Sequence, residues 1–134
     1  VNIYTFIGVT DVHVQRAPVS GIVKEIREIE GTYKPAYDLS ASANNYRKQV
    51  VITTEEGYDV ILVLKSGILA RRISVYPKMG DHVNQGDIIS RIHLGSGCHT
   101  IIKKEHVKDI LVKEGDIMYG GLTSVLGLSM YVMV

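Results

Sequence analysis

Tryptophan is absent from this sequence, phenylalanine occurs once, proline three times, and cysteine only at Cys98. A single cysteine excludes an intrachain disulfide framework and a cysteine-rich zinc site. No apolar run reaches the roughly 18 residues that a membrane-spanning helix needs. Neither sign of charge is in excess: 15 Lys and Arg stand against 14 Asp and Glu, a formal charge of +1. That balance argues against a general nucleic-acid binder, whose footprint is basic. What is present is globular. The chain has 134 residues, 46% apolar and 22% charged, which suits one domain that buries about two-thirds of its unfolded surface.

The patterning is that of strands. Apolar side chains tend to alternate from Val1 to Val9, the period of a half-buried strand. Ala17-Pro18-Val19-Ser20-Gly21 reads as a turn. Tyr33 to Asn45 is polar and without period, so it reads as a long loop. Asp59 to Lys65 is a short continuous apolar run, suited to a strand buried on both faces. Ile68 to Tyr76, Ile88 to Leu94 and Thr100 to Lys104 read as further strands, the last two flanking a Gly95-Ser96-Gly97-Cys98 loop. No stretch of ten or more residues carries a helical period, although Glu105 to Ile110 has room for a helical turn.

A weak repeat links Gly80-Asp81-His82-Val83-Asn84-Gln85-Gly86 to Gly115-Asp116-Ile117-Met118-Tyr119-Gly120-Gly121. Each copy makes a tight turn into a strand, with glycine supplying the positive φ. Together with Ala17 to Val23, the pattern resembles barrel-sandwich folds of the lipoyl and biotinyl type. The expected fold is mostly β, a single barrel-sandwich-hybrid-like domain over 1–134 with Gly-Asp turns and little helix.

Four segments in order carry a more specific likeness. They are Asp11-Val12-His13-Val14-Gln15-Arg16-Ala17-Pro18-Val19-Ser20-Gly21-Ile22-Val23, then Ala41-Ser42-Ala43-Asn44-Asn45-Tyr46-Arg47. Next come Gly67-Ile68-Leu69-Ala70-Arg71-Arg72-Ile73 with Gly80 to Gly86, and finally Leu94-Gly95-Ser96. Together they resemble the short branch of the phosphatidylserine decarboxylase family along nearly the whole chain. The resemblance implies self-cleavage between Gly95 and Ser96 and conversion of Ser96 to a pyruvoyl cofactor. The residue chemistry agrees: glycine before Ser96 lets the backbone bend, so the hydroxyl can attack the Gly95 carbonyl. An ester forms, β-elimination breaks the chain, and hydrolysis leaves a carbonyl that takes a substrate amine as a Schiff base and acts as an electron sink.

The resemblance also implies a catalytic role for His13 and substrate binding by Arg16, Asn45 and Arg47. Arginine offers a planar fork of donors to phosphate or carboxylate. Arg71 and Arg72 are equally read as a solvated face. His82, His93, His99 and His106 form no compact pair at metal-ligand spacing, so no metal is assigned. His99 falls near the cleavage point if the loop is tight. Cys98 lacks a base and an orienting acid and reads as structural.

The implied partners are an aminophospholipid and a membrane surface, met peripherally from the cytoplasmic side of the cell membrane, with no nucleic acid. Processing would leave a heterodimer of two pieces, with pairing of two such heterodimers as a further option. The chain departs from the family at Arg16, where the longer branch has a second histidine, at Tyr46, where glutamate is usual, and at Gly97-Cys98-His99, where glycine next to the reacting centre would loosen it. Set against the family, the chain reads as the C-terminal portion of a longer protein, without the Pro-x-Asp-Gly segment whose Asp activates the cleavage serine. Two alternatives stand beside the lyase: an unprocessed decarboxylase-like fragment, and a lipoyl- or biotinyl-type carrier. A carrier needs a lysine at a hairpin tip flanked by Met or Asp. Lys65 and Lys78 lie near turns without that setting.

Overall fold

Alternating β-branched and apolar residues favour a pleated, half-buried surface. The computed structural model, which describes residues 1–8, 14–68, 72–92, 96–119, 124–127 and 131–133, is accordingly nearly all β. Strands are numbered in chain order. The largest sheet is antiparallel, in the order β1 (Asn2–Ile7), β9 (Ser96–Ile102), β5 (Asp59–Lys65), β4 (Arg47–Thr54), β3 (Gly21–Ile29) and β7 (His82–Val83), and it curls into a half-barrel. A second sheet has the order β2 (Val14–Arg16), β8 (Ile88–Ile92), β6 (Ile73–Val75). A third has β10 (Asp109–Ile110), β11 (Ser124–Gly127), β12 (Tyr131–Met133). Helix among the described residues is limited to a 3-10 turn at Lys104–His106. The mostly β, barrel-sandwich-like expectation therefore stands.

One core lies between the first two sheets. Val60, Leu62 and Leu64 of β5, Val50 and Ile52 of β4, Val23 of β3 and Ile102 of β9 meet Ala17, Val19, Ile73, Ile89 and Ile92. The apolar run at Asp59–Lys65 is buried less evenly than its composition suggests. Val60, Leu62 and Leu64 face the core, while Ile61 and Val63 are half-buried on the opposite face. An antiparallel strand has two different faces, and here only one meets the core.

Two boundaries also differ from expectation. The strand expected over Ile68 to Tyr76 is shorter, Ile73–Val75. The stretch expected to begin a strand only at Thr100 begins it at Ser96. Gly97 and Cys98 are therefore ladder residues, because β1 and β5 flank them and take up their backbone groups on both sides.

The Gly-Asp turns recur three times with one geometry. Asp81, Asp87 and Asp116 each donate their N–H to the carbonyl three residues back, at Lys78, Asn84 and Lys113. Each Asp carboxylate accepts the N–H of that same residue, at 2.9, 2.8 and 3.0 Å. The intervening Gly80, Gly86 and Gly115 take φ of 93, 91 and 93°, the left-handed value that a type II turn requires at its third position.

The long polar loop is present between β3 and β4, with its neck closed by backbone bonds. Thr32 donates to the Asn44 carbonyl and Tyr46 to that of Thr32, at 3.0 and 2.8 Å. The loop reaches across the half-barrel's outer face, where Tyr37 meets the Phe6 ring edge-on at 6.4 Å.

Candidate functional site

The register of β1, β9, β5 and β4 builds the site row by row. Phe6, Gly97, Lys65 and Arg47 are successive cross-strand partners in one row. Tyr4, His99, Val63 and Gln49 form the next row on the same face. Ser96 heads β9 opposite Ile7 of β1, whereas the β5 ladder ends with Lys65 opposite Gly97. Among the described residues, position 96 is paired on the β1 side, at the head of the strand.

Gly97 is buried, and a Cβ there would collide with the hydroxyl and ring of Tyr4. The glycine therefore admits the Tyr4 ring and packs this position tightly, instead of loosening it. Tyr4 donates its hydroxyl to the Ala36 carbonyl of the loop at 2.6 Å. Its ring stacks obliquely on His99, centroids 4.5 Å apart, and carries the Lys65 ammonium 4.6 Å from its centre. Burial, reinforced by Cys98, pushes the Tyr4 phenol up to about 12. The phenol therefore stays protonated and keeps its donor at neutral pH.

The side chains beside this row define a groove of about 430 Å³ under the loop, lined by Arg47, Lys65, His99, Asn2, Leu39 and their neighbours. Burial, and then the charge of Lys65, push His99 down to about 4, so its imidazole is neutral near pH 7. Its Nδ1 lies 2.9 Å from Asn2 Oδ1. With that oxygen as acceptor the proton sits on Nδ1, and Nε2 keeps a lone pair. Lys65 is 2% exposed. Its ammonium is pushed down by burial and then by Arg47. Cys98 packs against the core, and burial pushes its thiol up to about 12. It is no thiolate nucleophile, in line with the structural reading.

The other residues singled out from the sequence divide clearly. Asn45 is fully buried, and its amide is committed within the chain. Its nitrogen donates to the Lys34 and Ser66 carbonyls at 2.9 and 2.8 Å. Its oxygen accepts from Thr32 Oγ1 and the Lys34 N–H at 3.0 and 2.9 Å. Those four bonds weld the loop's neck to the end of β5. Arg47 donates to the Asn45 carbonyl at 2.9 Å and reaches the groove. Arg16 sits in the second sheet and donates to the Gly86 carbonyl at 2.9 Å, so it and Arg47 belong to different sheets. Arg72 is exposed. His13, Gly95, Arg71 and His93 lie outside the described residues.

Lys65 and Tyr4 were not legible as site residues, and His99 was legible only as a neighbour of Ser96. The available signal was parity: Gly97 and His99 are two apart, and Lys65 ends the run Ile61, Val63, Lys65 on the same face. A carrier lysine at an exposed hairpin tip is not what Lys65 provides, since it is buried at a strand end. A larger groove, about 580 Å³, lies at the far end of β9 around Tyr58, Lys103 and His106, and contains none of the residues assigned to catalysis or substrate binding. Among the described residues, no three His, Cys, Asp or Glu side chains are grouped to hold a metal, and no helix is long and apolar enough to cross a membrane.

Fold and site together define a curled β domain in which Ser96 heads a central strand, with a cationic groove alongside. The phosphatidylserine decarboxylase family profile matches residues 1–125, and the chain belongs to that family. It is 34% identical over 126 residues to a putative archaetidylserine decarboxylase proenzyme of Methanopyrus kandleri, covering 94% of this chain and 58% of that one. It is 38% identical over 124 residues to a phosphatidylserine decarboxylase proenzyme of Nocardia farcinica, covering 92% and 52%. A third relative, the phosphatidylserine decarboxylase proenzyme of Carboxydothermus hydrogenoformans, is 37% identical over 123 residues, covering 92% and 57%. The chain spans about half the length of these curated relatives. No solved structure matches it.

Proposed function

We propose that this chain carries the self-processing and substrate-binding part of a decarboxylase acting on a lipid with a serine head group, phosphatidylserine or its archaeal counterpart. The observation that carries the reading is the position of Ser96, at the head of a strand held between β1 and β5, within a chain that belongs to this family. The relatives are named proenzymes, which supports maturation by cleavage.

The maturation proposed starts with attack of the Ser96 hydroxyl on the Gly95 carbonyl, exchanging the amide for an ester. Elimination across Cα and Cβ of residue 96 releases Gly95 as a carboxylate. The unsaturated amine left at residue 96 takes up water and loses ammonia, leaving a pyruvoyl group. Ser96 heads the strand and carries the hydroxyl and α-carbon from which such a group would be made, so the residue present fits it. When formed, that group supplies a carbonyl for the substrate amine and an acceptor for the electron pair left by carbon dioxide.

The chain's own residues do the rest. The Tyr4 hydroxyl and the Asn45 amide hold the loop over the groove. His13 is proposed to hand a proton to the reacting carbon, since an imidazole can exchange protons near pH 7. Docking would be peripheral, at the cytoplasmic face of the membrane.

Intact-mass measurement of the purified protein tests the reading. Two pieces, the second starting at residue 96 with the mass of a pyruvoyl end, are expected, and Ser96→Ala should give one chain. His13→Ala should be cleaved normally and turn over poorly. A single unmodified chain under all conditions refutes the maturation proposal for this chain.

A further inference from the structure

The cross-strand pair Arg47 and Lys65 sets two like charges directly opposite each other on the outer face of the half-barrel. Such a pair is destabilising in isolation. Lys65 is also 2% exposed, and among the described residues no carboxylate lies within ion-pair distance of it. Its near neighbour is the face of the Tyr4 ring, a weak electrostatic partner for an ammonium. A buried cation is normally paired. Among the described residues, no acidic side chain lines the groove of Arg47 and Lys65: its other walls are Asn2, Leu39, Ala43, Val63, His99 and Ile101. None of the described residues supplies that partner, and an anion from outside the chain would.

We propose that Lys65 and Arg47 form an anion subsite that holds the phosphodiester of the substrate head group, one residue along the ladder from position 96. The inference rests on the serine-lipid reading above. Register supplies the geometry, because Lys65 is the cross-strand partner of Gly97 and Arg47 is that of Lys65. Arg47 spends one donor on the Asn45 carbonyl and keeps the rest of its planar fork, while Lys65 acts as a point charge. A head group offers two anions, a carboxylate and a phosphodiester. The carboxylate must leave as neutral carbon dioxide, so an ion pair to it would stabilise the ground state more than the transition state and slow the reaction. The phosphodiester keeps its charge throughout, so two cations can hold it without that penalty. The neutral His99 leaves the positive charge of the groove on Lys65 and Arg47.

The test is titration of the full protein, followed by NMR of its backbone amides, with three probes: inorganic phosphate, glycerophosphoethanolamine and L-serine. Glycerophosphoethanolamine keeps the phosphodiester and amine but has no carboxylate. Phosphate and glycerophosphoethanolamine should both shift Lys65 and Gly97. Lys65→Met, which keeps the aliphatic stem, should weaken both by about tenfold or more. Lys65→Arg should retain them, and L-serine should bind more weakly and ignore the substitution. Equal binding to Lys65→Met overturns the proposal, as does tightest binding of L-serine. Binding of inorganic phosphate without glycerophosphoethanolamine overturns the head-group assignment, because it marks a free-phosphate site. If Lys65→Met does not fold, Arg47→Gln reads the same subsite from the groove's edge, and unchanged affinity there overturns the proposal. Repeating the titration on Ser96→Ala separates this inference from maturation, since binding there needs no cleavage.

Discussion

Substituting Gly97 by alanine probes the packing that shapes the site. The new Cβ would run into the Tyr4 hydroxyl and ring, and Tyr4 has few places to go. Its hydroxyl is bonded to Ala36, and its ring is held between His99 and Lys65. Overpacking of this kind costs about 1–3 kcal/mol. Displacing the Tyr4 hydroxyl from the Ala36 carbonyl adds about 1 kcal/mol. Alanine also restricts the unfolded chain, which offsets about 0.5–1 kcal/mol. The net expectation is a loss of about 2 kcal/mol. For a chain of this size that lowers Tm by roughly 8 °C. The assay is urea and thermal unfolding in a Ser96→Ala background, so that one chain unfolds. Tyr4→Ala combined with Gly97→Ala should cost less than the sum of the two alone, because the clash disappears with the ring. A Gly97→Ala protein within about 0.5 kcal/mol of its parent would refute the claim that this glycine exists to admit Tyr4.

Asn45→Ala strands the Ser66 carbonyl and the Lys34 backbone groups inside the loop neck, and should lose on the order of 3 kcal/mol in urea unfolding. A loss of binding or activity without a loss of stability would count against this structural role. His99 has a folded value near 4, below its ordinary 6.5, so between those values the unfolded chain binds the extra proton. Stability should therefore fall as pH drops from 6.5 towards 4 and level off below it, and His99→Gln should flatten that part of the profile. Identical profiles for the two proteins would refute the assigned burial effect. If the chain is cleaved before Ser96, β9 remains paired to β1 and β5 along its length. The two pieces should then co-elute on size exclusion and separate only in denaturant. Spontaneous separation in native buffer would contradict the ladder.

The sequence by itself determined a good deal. Two-residue apolar alternation reported the strands, and Gly-Asp pairs reported turns that need a positive φ, because both signals arise from the geometry of a few neighbouring residues. The ordered motifs around Ser96 carried the family. The polar loop was legible from its lack of period. Local pattern misled around Ser96: Gly95-Ser96-Gly97-Cys98 has the composition of a turn, yet Gly97 and Cys98 lie within β9. Asn45 was legible as a polar loop residue, but its partners were not. It was singled out for substrate, and its amide makes four bonds inside the loop neck.

Only the tertiary structure decided which residues share the site. Lys65, Gly97 and Arg47 are far apart in the chain, and nothing local sets the register that aligns them. That alignment depends on how β9 slides between β1 and β5, where a shift of one residue would turn Gly97 and His99 away from Lys65. The core contacts of Val60, Leu62, Leu64 and Ile102 hold that register. The same apolar burial that folds the domain therefore brings a buried lysine, a tyrosine and a glycine together beside Ser96.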